Sequence, residues 1–332
     1  MKTACITGIT GQTGSYICEL LLQKGYKVYG LKRRSSSLNT ERLDHIYQDA
    51  HIDSKLELVY GDLSDYSSLS SLIGDVKPDL FFNMGAQSHV RVSFDIPEYS
   101  MDVGGTGVIR VLEAIRKNSP KTSFLTASSS EMFGASPPPQ NEDTRFHPRS
   151  PYAVAKVAGY YATINYREAY NIHACNAISF NHESSRRGET FVTRKITRAA
   201  TRIKLGLQDK LYLGNMDAQR DWSHASDVAE AMYKIITAPT ADDYVIASGE
   251  MHSVREFAEK VFSKLGLDYQ KYVEFDARYL RPSEVDALCG DPSKLKNSLN
   301  WKPAYNFEQL VDEMINADMK LAQQEKILKD NQ

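Results

Sequence analysis

The stretch "RSPYAVAK", Arg149 to Lys156, sets a phenol four residues ahead of an ammonium where a helical pattern begins. Side chains at i and i+4 share a helix face, so Tyr152 and Lys156 are neighbours there. A nearby cation favours the phenolate, so the pair predicts a Tyr152 pKa below its usual ~10 and a base near neutral pH. A second group follows a strand-like run: "TASSSEMFG" carries the hydroxyls of Ser128, Ser129 and Ser130 and the carboxylate of Glu131. Together these groups suit proton removal from an alcohol. The chain has 19 tyrosines, so roughly one Tyr-x-x-x-Lys arises by chance. The meaning of the pair therefore rests on the elements that carry it.

Up to about residue 180, short apolar runs alternate with longer helical patterns. The strand candidates are Thr3–Thr7, Lys27–Leu31, Leu56–Tyr60, Leu80–Asn83, Phe124–Ala127 and Ala174–Phe180. This alternation predicts an α/β fold: a Rossmann-type doubly wound parallel sheet, covered by helices on both faces and connected by right-handed crossovers. Directly after the first strand, Gly8, Gly11 and Gly14 form a G-x-x-G-x-x-G loop ahead of an amphipathic helix that Gly25 ends. Glycine lets the backbone approach a pyrophosphate and the helix N-terminus adds amides and dipole, so a dinucleotide is the expected ligand. The second strand runs into "LKRRSSS". NAD-selective folds usually hold an acid here, whereas Arg33 and Arg34 accommodate a 2′-phosphate and point to NADP. Asp62 and Leu63 follow the third strand, and Met84, Gly85, Ala86, Gln87 and Ser88 follow the fourth. Both segments lie past the carboxyl ends of strands, where open sheets bind ligands; Asp62 reads equally as a helix N-cap. "TASSSEMFG" falls at the same edge. Beside a nicotinamide, an activated phenol removes an alcohol proton while hydride leaves the same carbon, and the lysine also holds the nicotinamide ribose.

A chain of 332 residues has room for about two domains. The expected division is a cofactor domain over 1–180, whose sheet takes in later segments if they supply strands, and a smaller mixed α/β substrate domain over 181–332, packed against the carboxyl edge. Its helical patterns cover Thr193–Lys204, Ala225–Ile236 and Val254–Leu265, with a last helix after "WKP". The end, "AQQEKILKDNQ", reads as a solvated or fraying terminus. Net charge is −2, which sets up no general field for nucleic acid or an anionic membrane. No apolar run reaches the roughly 18 residues of a membrane span, and the first residues enter a strand without the apolar stretch of a secretory signal. Cys5, Cys18, Cys175 and Cys289 lack paired spacing for zinc or redox chemistry. A cytoplasmic enzyme without metal is the expectation. Arg194, Arg198 and Arg202 recur every four residues as a basic helix face. Without interleaved aromatics or a basic domain this is not a nucleic-acid surface, and most of these charges are expected to be solvated.

The strings "ITGITGQTGSY", "RRSSS", "GDL", "GAQSHV", "SSSEMFG", "RSPYAVAK", "FNHESSRRG", "FVTRKI", "RDWSHA", "SGEMHSVREF", "RPSEVD" and "LNWKP" run in order through nearly the whole chain. In them it resembles the extended short-chain dehydrogenases/reductases and, within these, the GDP-mannose 4,6-dehydratase family. The resemblance implies a hydro-lyase that uses NADP to convert GDP-mannose to GDP-4-dehydro-6-deoxy-mannose plus water without net redox change, opening GDP-fucose or GDP-rhamnose synthesis. It implies a catalytic set of Ser129, Glu131, Tyr152 and Lys156, with Glu131 removing the carbon 5 proton and helping the carbon 6 hydroxyl leave. It extends the cofactor contacts to Thr10, Gln12, Thr13, Ser35, Ser36, Tyr99, His182 and Arg187. For the sugar nucleotide it adds Asn181, Val192, Lys195, Gly214, Arg220, Arg281 and Glu284 to Ser88, Ser129 and Glu131. Guanidinium forks suit a diphosphate, although Arg220 pairs equally well with Asp221. A homo-oligomer, dimer or tetramer, is implied too, in which "RRSSSLNTERLDHIY" reaches a neighbouring subunit near its cofactor. Four positions depart from the family pattern: Ser129 for threonine, Thr13 for aspartate, Ser185 for proline and Ser223 for glycine. None removes a catalytic group. The alternatives are another NADP-dependent sugar-nucleotide dehydratase or epimerase, a bifunctional dehydratase and 4-reductase giving GDP-D-rhamnose, and a cofactor-sensing protein. Glu131 beside the hydroxyls argues against a simple epimerase, and a sensor needs no such cluster.

Overall fold

The computed structural model describes residues 1–36, 39–46 and 55–331. From β1 (Thr3–Thr7) the chain passes through α1 (Gln12–Gln23), β2 (Lys27–Lys32), β3 (Leu56–Tyr60), α2 (Tyr66–Val76) and β4 (Leu80–Asn83). Next, α3 (Pro97–Met101) and a widened π-type turn at Asp102–Thr106 lead into α4 (Gly107–Asn118), β5 (Ser123–Ser129), α5 (Pro151–Tyr170) and β6 (Ala174–Ser179). The chain then leaves the sheet through β7 (Asn181–Glu183), α6 (Val192–Lys204), β8 (Leu211–Leu213), β9 (Gln219–Arg220) and β10 (Trp222–His224). It returns as α7 (Ala225–Ile236) and β11 (Asp243–Ile246). After β12 (His252–Ser253) come α8 (Val254–Lys264), α9 (Tyr269–Tyr272), β13 (Val273–Phe275), β14 (Ala287–Leu288), α10 (Ser293–Leu299) and α11 (Phe307–Asp330).

The main sheet has seven strands in the order β11-β6-β5-β4-β1-β2-β3, every pair parallel. This is the doubly wound α/β sheet that the alternating pattern predicts. Strand side chains alternate faces, so Cys5, Phe81 and Phe124 join one core with Leu112 and Ile73, while Ile6, Phe82 and Leu125 join the other with Ile17 and Met232. The last two residues expected in β6 divide: Ser179 stays in the strand, and Phe180 bonds its amide to the Ile246 carbonyl beyond it.

Local signals set the elements that matter for the site. Ser150 caps α5 by accepting from the Ala153 amide, and Pro151 occupies the first turn, where its missing N–H costs nothing. Asp65, not Asp62, caps α2. Glycines let α5 press onto the 102–106 turn: a Cβ on Gly159 would stand 2.9 Å from Val108 Cγ2 and 3.1 Å from the Gly104 carbonyl. That close approach sets the depth of α5 and so the depth of Tyr152 and Lys156.

Beyond the carboxyl ends, α6, α8 and α11 enclose a second core that includes Ile196, Trp222, Phe257, Phe262, Phe307 and Met314. Here the expected solvated basic face proves to be an interior seam. Arg194 and Arg198 are 5% and 6% exposed. Arg194 Nε donates to both oxygens of Asp318, at 2.7 and 2.9 Å, and Thr197 adds a third bond at 2.6 Å. Glu325 takes Arg198 and, at 2.7 Å, Arg202. Asp318 and Glu325 lie about two turns apart on α11, as do Arg194 and Arg202 on α6. The partners are more than a hundred residues distant in sequence, so the pattern of α6 alone could not reveal them. The C-terminal stretch is the solvated helix terminus its composition suggests: α11 stays helical to Asp330 and its last residues are mostly exposed. Among the described residues, no helix is long and apolar enough to cross a membrane.

Replacing Asp318 by Ala would leave the Arg194 charge buried without its carboxylate, and should lower stability by about 3–5 kcal/mol. A urea unfolding midpoint unchanged from the parent chain would contradict this account of the seam.

Candidate active site

A cavity of about 780 Å³ opens beyond the carboxyl ends of β1, β4, β5 and β6 and extends to the second core. Its floor is the glycine turn. Gly8 has φ +65 and stands so close to Gly85 that a Cβ would meet its nitrogen at 2.8 Å, while a Cβ on Gly14 would lie 2.4 Å from the Gly8 carbonyl. Gly11 caps α1 without a side chain, so the first-turn amides meet no capping oxygen. Gln12 and Thr13 complete this wall. Thr13 Oγ1 bonds His182 Nε2 at 2.7 Å, and His182 Nδ1 lies 2.9 Å from the Phe180 carbonyl. A carbonyl only accepts, so Nδ1 carries the proton and Thr13 donates to Nε2. Burial pushes the His182 pKa down to about 4, which keeps this neutral form. The threonine at the family's aspartate position therefore ties the glycine turn to β7.

Several expected cofactor residues do not line the cavity. Arg33 Nη1 donates to the Tyr99 hydroxyl at 2.7 Å on the outer surface past β2, and the Arg34 guanidinium lies 5.9 Å from the Tyr60 ring. Ser35 and Ser36 continue that turn. The Thr10 carbonyl accepts from Arg42. Asp62 accepts from the amide and hydroxyl of Ser64 in a local turn. Leu63 is buried beneath Gly85 and Gly107 as support, and Gln87 donates to the His89 carbonyl. Met84, Ala86 and Ser88 do reach the cavity wall. In "RRSSSLNTERLDHIY", Ser37, Leu38 and Tyr47 lie outside the described residues. The described part folds onto its own chain: Arg42 donates to the Arg186 carbonyl at 2.7 Å, and His45 meets Glu19 at 2.5 Å.

The reactive cluster does assemble. Ser129 ends β5 and its hydroxyl accepts from the Glu131 amide at 3.2 Å. Ser129 and Glu131 both stand near enough to the Tyr152 phenol to act on its ionisation, and all three line the cavity. Glu131 and Tyr152 thus share one side of the sheet edge. The expected low phenol pKa is overturned: burial pushes Tyr152 up to about 12, with Glu131 adding to the rise and the Ser129 hydroxyl and Arg187 opposing it. Lys156 does not offset this. Its Nζ donates to the Ala127 carbonyl at 2.6 Å, 5.8 Å from the Tyr152 ring centre, and burial pushes its own pKa down to about 8. Helix spacing placed the two side by side, but the ammonium turns to the strand rather than to the phenol.

The far wall is cationic. Asn181, Arg187, Val192, Lys195, Gly214 and Arg220 line it, and Arg281 and Glu284 close it from a loop after β13. Arg220 is buried and bonds the Gln219 carbonyl at 2.8 Å. It does not pair with Asp221, which instead accepts from the amides of Ser248, Gly249 and Gly290. Burial depresses the Arg220 pKa and Glu131 opposes that fall. Lys195 Nζ sits 3.3 Å from the Tyr279 ring centre, and a Cβ on Gly214 would meet the Tyr279 backbone at 2.9 Å. Sequence reasoning missed His89, Glu183, Phe191 and Tyr279, which also line the cavity. Glu183 is buried and meets Arg187 at 3.0 Å, while the Arg187 guanidinium rests 3.8 Å from the Phe191 ring centre. Three of the four fall inside quoted strings, "GAQSHV", "FNHESSRRG" and "FVTRKI", but no spacing rule marks them.

A family model described as GDP-mannose 4,6 dehydratase matches residues 5–314. GDP-mannose 4,6 dehydratase 1 of Arabidopsis thaliana is 56% identical over 335 aligned residues, covering 99% of this chain and 93% of that protein. The Homo sapiens GDP-mannose 4,6 dehydratase is 49% identical, covering 96% of this chain and 92% of its own. The fold is also that of a solved dTDP-glucose 4,6-dehydratase from Bacillus anthracis in complex with NAD, with a TM-score of 0.83 at 22% identity, covering 96% of this chain and 97% of that one. By its sequence match over almost its full length, the chain belongs to the GDP-mannose 4,6-dehydratase family of hydro-lyases.

Proposed function

We propose that this chain converts GDP-mannose to GDP-4-dehydro-6-deoxy-mannose and water, the first step toward a GDP-deoxysugar such as GDP-fucose or GDP-rhamnose. The observation that carries the reading is the meeting of Tyr152, Ser129 and Glu131 at the end of β5, in a cavity with a glycine turn at one end and cations at the other. The turn fits a dinucleotide diphosphate, because its walls are backbone and its first-turn amides are uncapped. When bound there, a nicotinamide cofactor supplies the hydride acceptor and donor and a ring charge that offsets the burial of the phenol. NADP is favoured over NAD because Arg33 and Arg34 stand past β2, where such folds hold a 2′-phosphate.

The chain's own groups handle the protons. Tyr152 Oη takes the proton of the carbon 4 hydroxyl, with Ser129 Oγ holding the same oxygen. Lys156, fixed by Ala127, keeps a positive charge below about pH 8 and is placed to hold the nicotinamide ribose. A ketone at carbon 4 acidifies the carbon 5 proton, Glu131 removes it, and the resulting carboxylic acid protonates the carbon 6 hydroxyl as it leaves; carbon 6 of the unsaturated ketone then receives the hydride first lost from carbon 4, and carbon 5 takes back the proton held by Tyr152. Lys195, Arg220 and Arg281 neutralise the GDP diphosphate. The proposal includes a homo-oligomer, dimer or tetramer, working in the cytoplasm.

Given GDP-mannose and NADP, the purified protein should yield a product lighter by one water in mass spectrometry. Glu131→Gln should still bind cofactor but lose turnover on the order of 100-fold or more; undiminished turnover would remove Glu131 from the mechanism. The pH profile of kcat/KM should climb as the phenol proton becomes easier to remove, then fall near pH 8 as Lys156 loses its charge. Lys156→Arg, whose guanidinium stays charged, should lack that alkaline fall. Replacing Arg33 and Arg34 together by Ala should weaken NADP binding about tenfold or more and leave NAD nearly untouched, as read by titration calorimetry.

A further inference from the structure

The proton-handling groups leave part of the hexose without a partner. Ser129 and Tyr152 serve carbon 4 and Glu131 serves carbons 5 and 6, so the hydroxyls at carbons 2 and 3 have no contact assigned. One cavity residue that the mechanism does not use is His89, in the turn that follows β4. Its Nδ1 accepts from the Val92 amide at 3.4 Å. An accepting Nδ1 carries no proton, so the ring hydrogen sits on Nε2. That Nε2 has no hydrogen-bond partner among the described residues. With Nδ1 turned back to its own chain, Nε2–H is the donor left for the cavity that His89 lines. Burial lowers the His89 pKa, and Arg281 and Arg187 lower it further, which keeps the neutral form.

Two contacts set the place of the imidazole. Its ring centre lies 5.4 Å from that of Phe191, whose ring also carries the Arg187 guanidinium at 3.8 Å. Arg187 bears on Tyr152, and Arg281, which bears on His89, donates to Glu131 at 3.3 Å. His89 thus stands beside the groups that do the chemistry. A neutral N–H adds little to a diphosphate that Lys195, Arg220 and Arg281 already meet with full charges; it suits a neutral oxygen. We infer that His89 is a specificity residue that donates its Nε2–H to a hexose hydroxyl at carbon 2 or carbon 3. Those two hydroxyls stay on the sugar throughout, so the bond holds the ring while carbons 4 to 6 change. A sugar that lacks the hydroxyl leaves the N–H unpaired and is discriminated against for that reason. The inference rests on the nucleotide-sugar reading above.

The test uses the full chain with NADP bound and two variants. His89→Asn keeps an acceptor for the Val92 amide but is too short to reach the Nε2 position, whereas the longer amide of His89→Gln puts an N–H back there. With GDP-mannose, His89→Asn should lose kcat/KM on the order of tenfold and His89→Gln should recover most of it. Calorimetry should find the affinity for GDP, which lacks the hexose, the same in all three chains. GDP-2-deoxy-mannose and GDP-3-deoxy-mannose then identify the hydroxyl: one of them should be a poorer substrate for the parent but no poorer than GDP-mannose for His89→Asn. Losses that simply add for both analogues would mean that His89 acts through packing, and the inference fails. It fails equally if His89→Asn weakens GDP binding as much as it lowers kcat/KM, since the donor then serves the diphosphate. A parent chain that binds NADP but does not dehydrate GDP-mannose would overturn the nucleotide-sugar reading and this inference with it.

Discussion

The hydrogen bond from Lys156 Nζ to the Ala127 carbonyl ties the first turns of α5 to the end of β5, and the arrangement of the site depends on it. The bond forms because glycines at 104 and 159 let helix α5 approach almost to backbone contact, and because Ser150 and Pro151 start the helix at the right residue. With that depth set, the Tyr152 phenol meets the Ser129 hydroxyl. A bulkier residue at 159 would lift the helix, and the phenol would leave the serine. The distance between two backbones, rather than any one strong interaction, therefore determines which proton transfers are possible.

Burial has opposite effects on the groups gathered there. It raises the phenol and lowers the ammonium, since a low-dielectric setting penalises whichever form is charged. Charge is reintroduced from outside the sheet, by Arg187, Arg220 and Arg281. These arginines are held by different means: Arg187 by Glu183 and the Phe191 face, Arg220 by a backbone carbonyl, and Arg281 by Glu131 itself. The first two are built into the wall. The third hangs from the loop between β13 and β14.

The second core supports the site at a distance. Arg194, locked by Asp318, also donates to the carbonyls of Ser185 and Arg187, and Glu313 on α11 accepts from the Ser185 amide while bonding His224. The turn that presents Arg187 is thus held from α6 and α11 together. Ser185, where the family has proline, offers the amide that makes the Glu313 bond possible, because proline has no N–H. Ser223, where the family has glycine, is buried, and its hydroxyl has no hydrogen-bond partner among the described residues.

Strand and helix order, the glycine turn and the chemical groups of the reactive cluster were legible from residue order alone, because each depends on neighbours a few positions apart. Short apolar runs mark strands buried on both faces, i+4 spacing marks a helix face, and glycine marks where a Cβ cannot fit. Family strings added Arg220, Lys195 and Arg281, which no local rule singles out. Three things were decided only when distant segments met. Arg194 and Arg198 of α6 became interior, since their carboxylates lie on a helix more than a hundred residues away. Tyr152 became a weaker acid rather than a stronger one, since local spacing gives adjacency but neither burial nor the direction in which Lys156 points. Glu131 acquired Arg281 as partner across 150 residues. Composition and spacing determined which groups this chain has to work with. Their ionisation depends on solvent exclusion and on charges brought close in space, and both exist only in the folded chain.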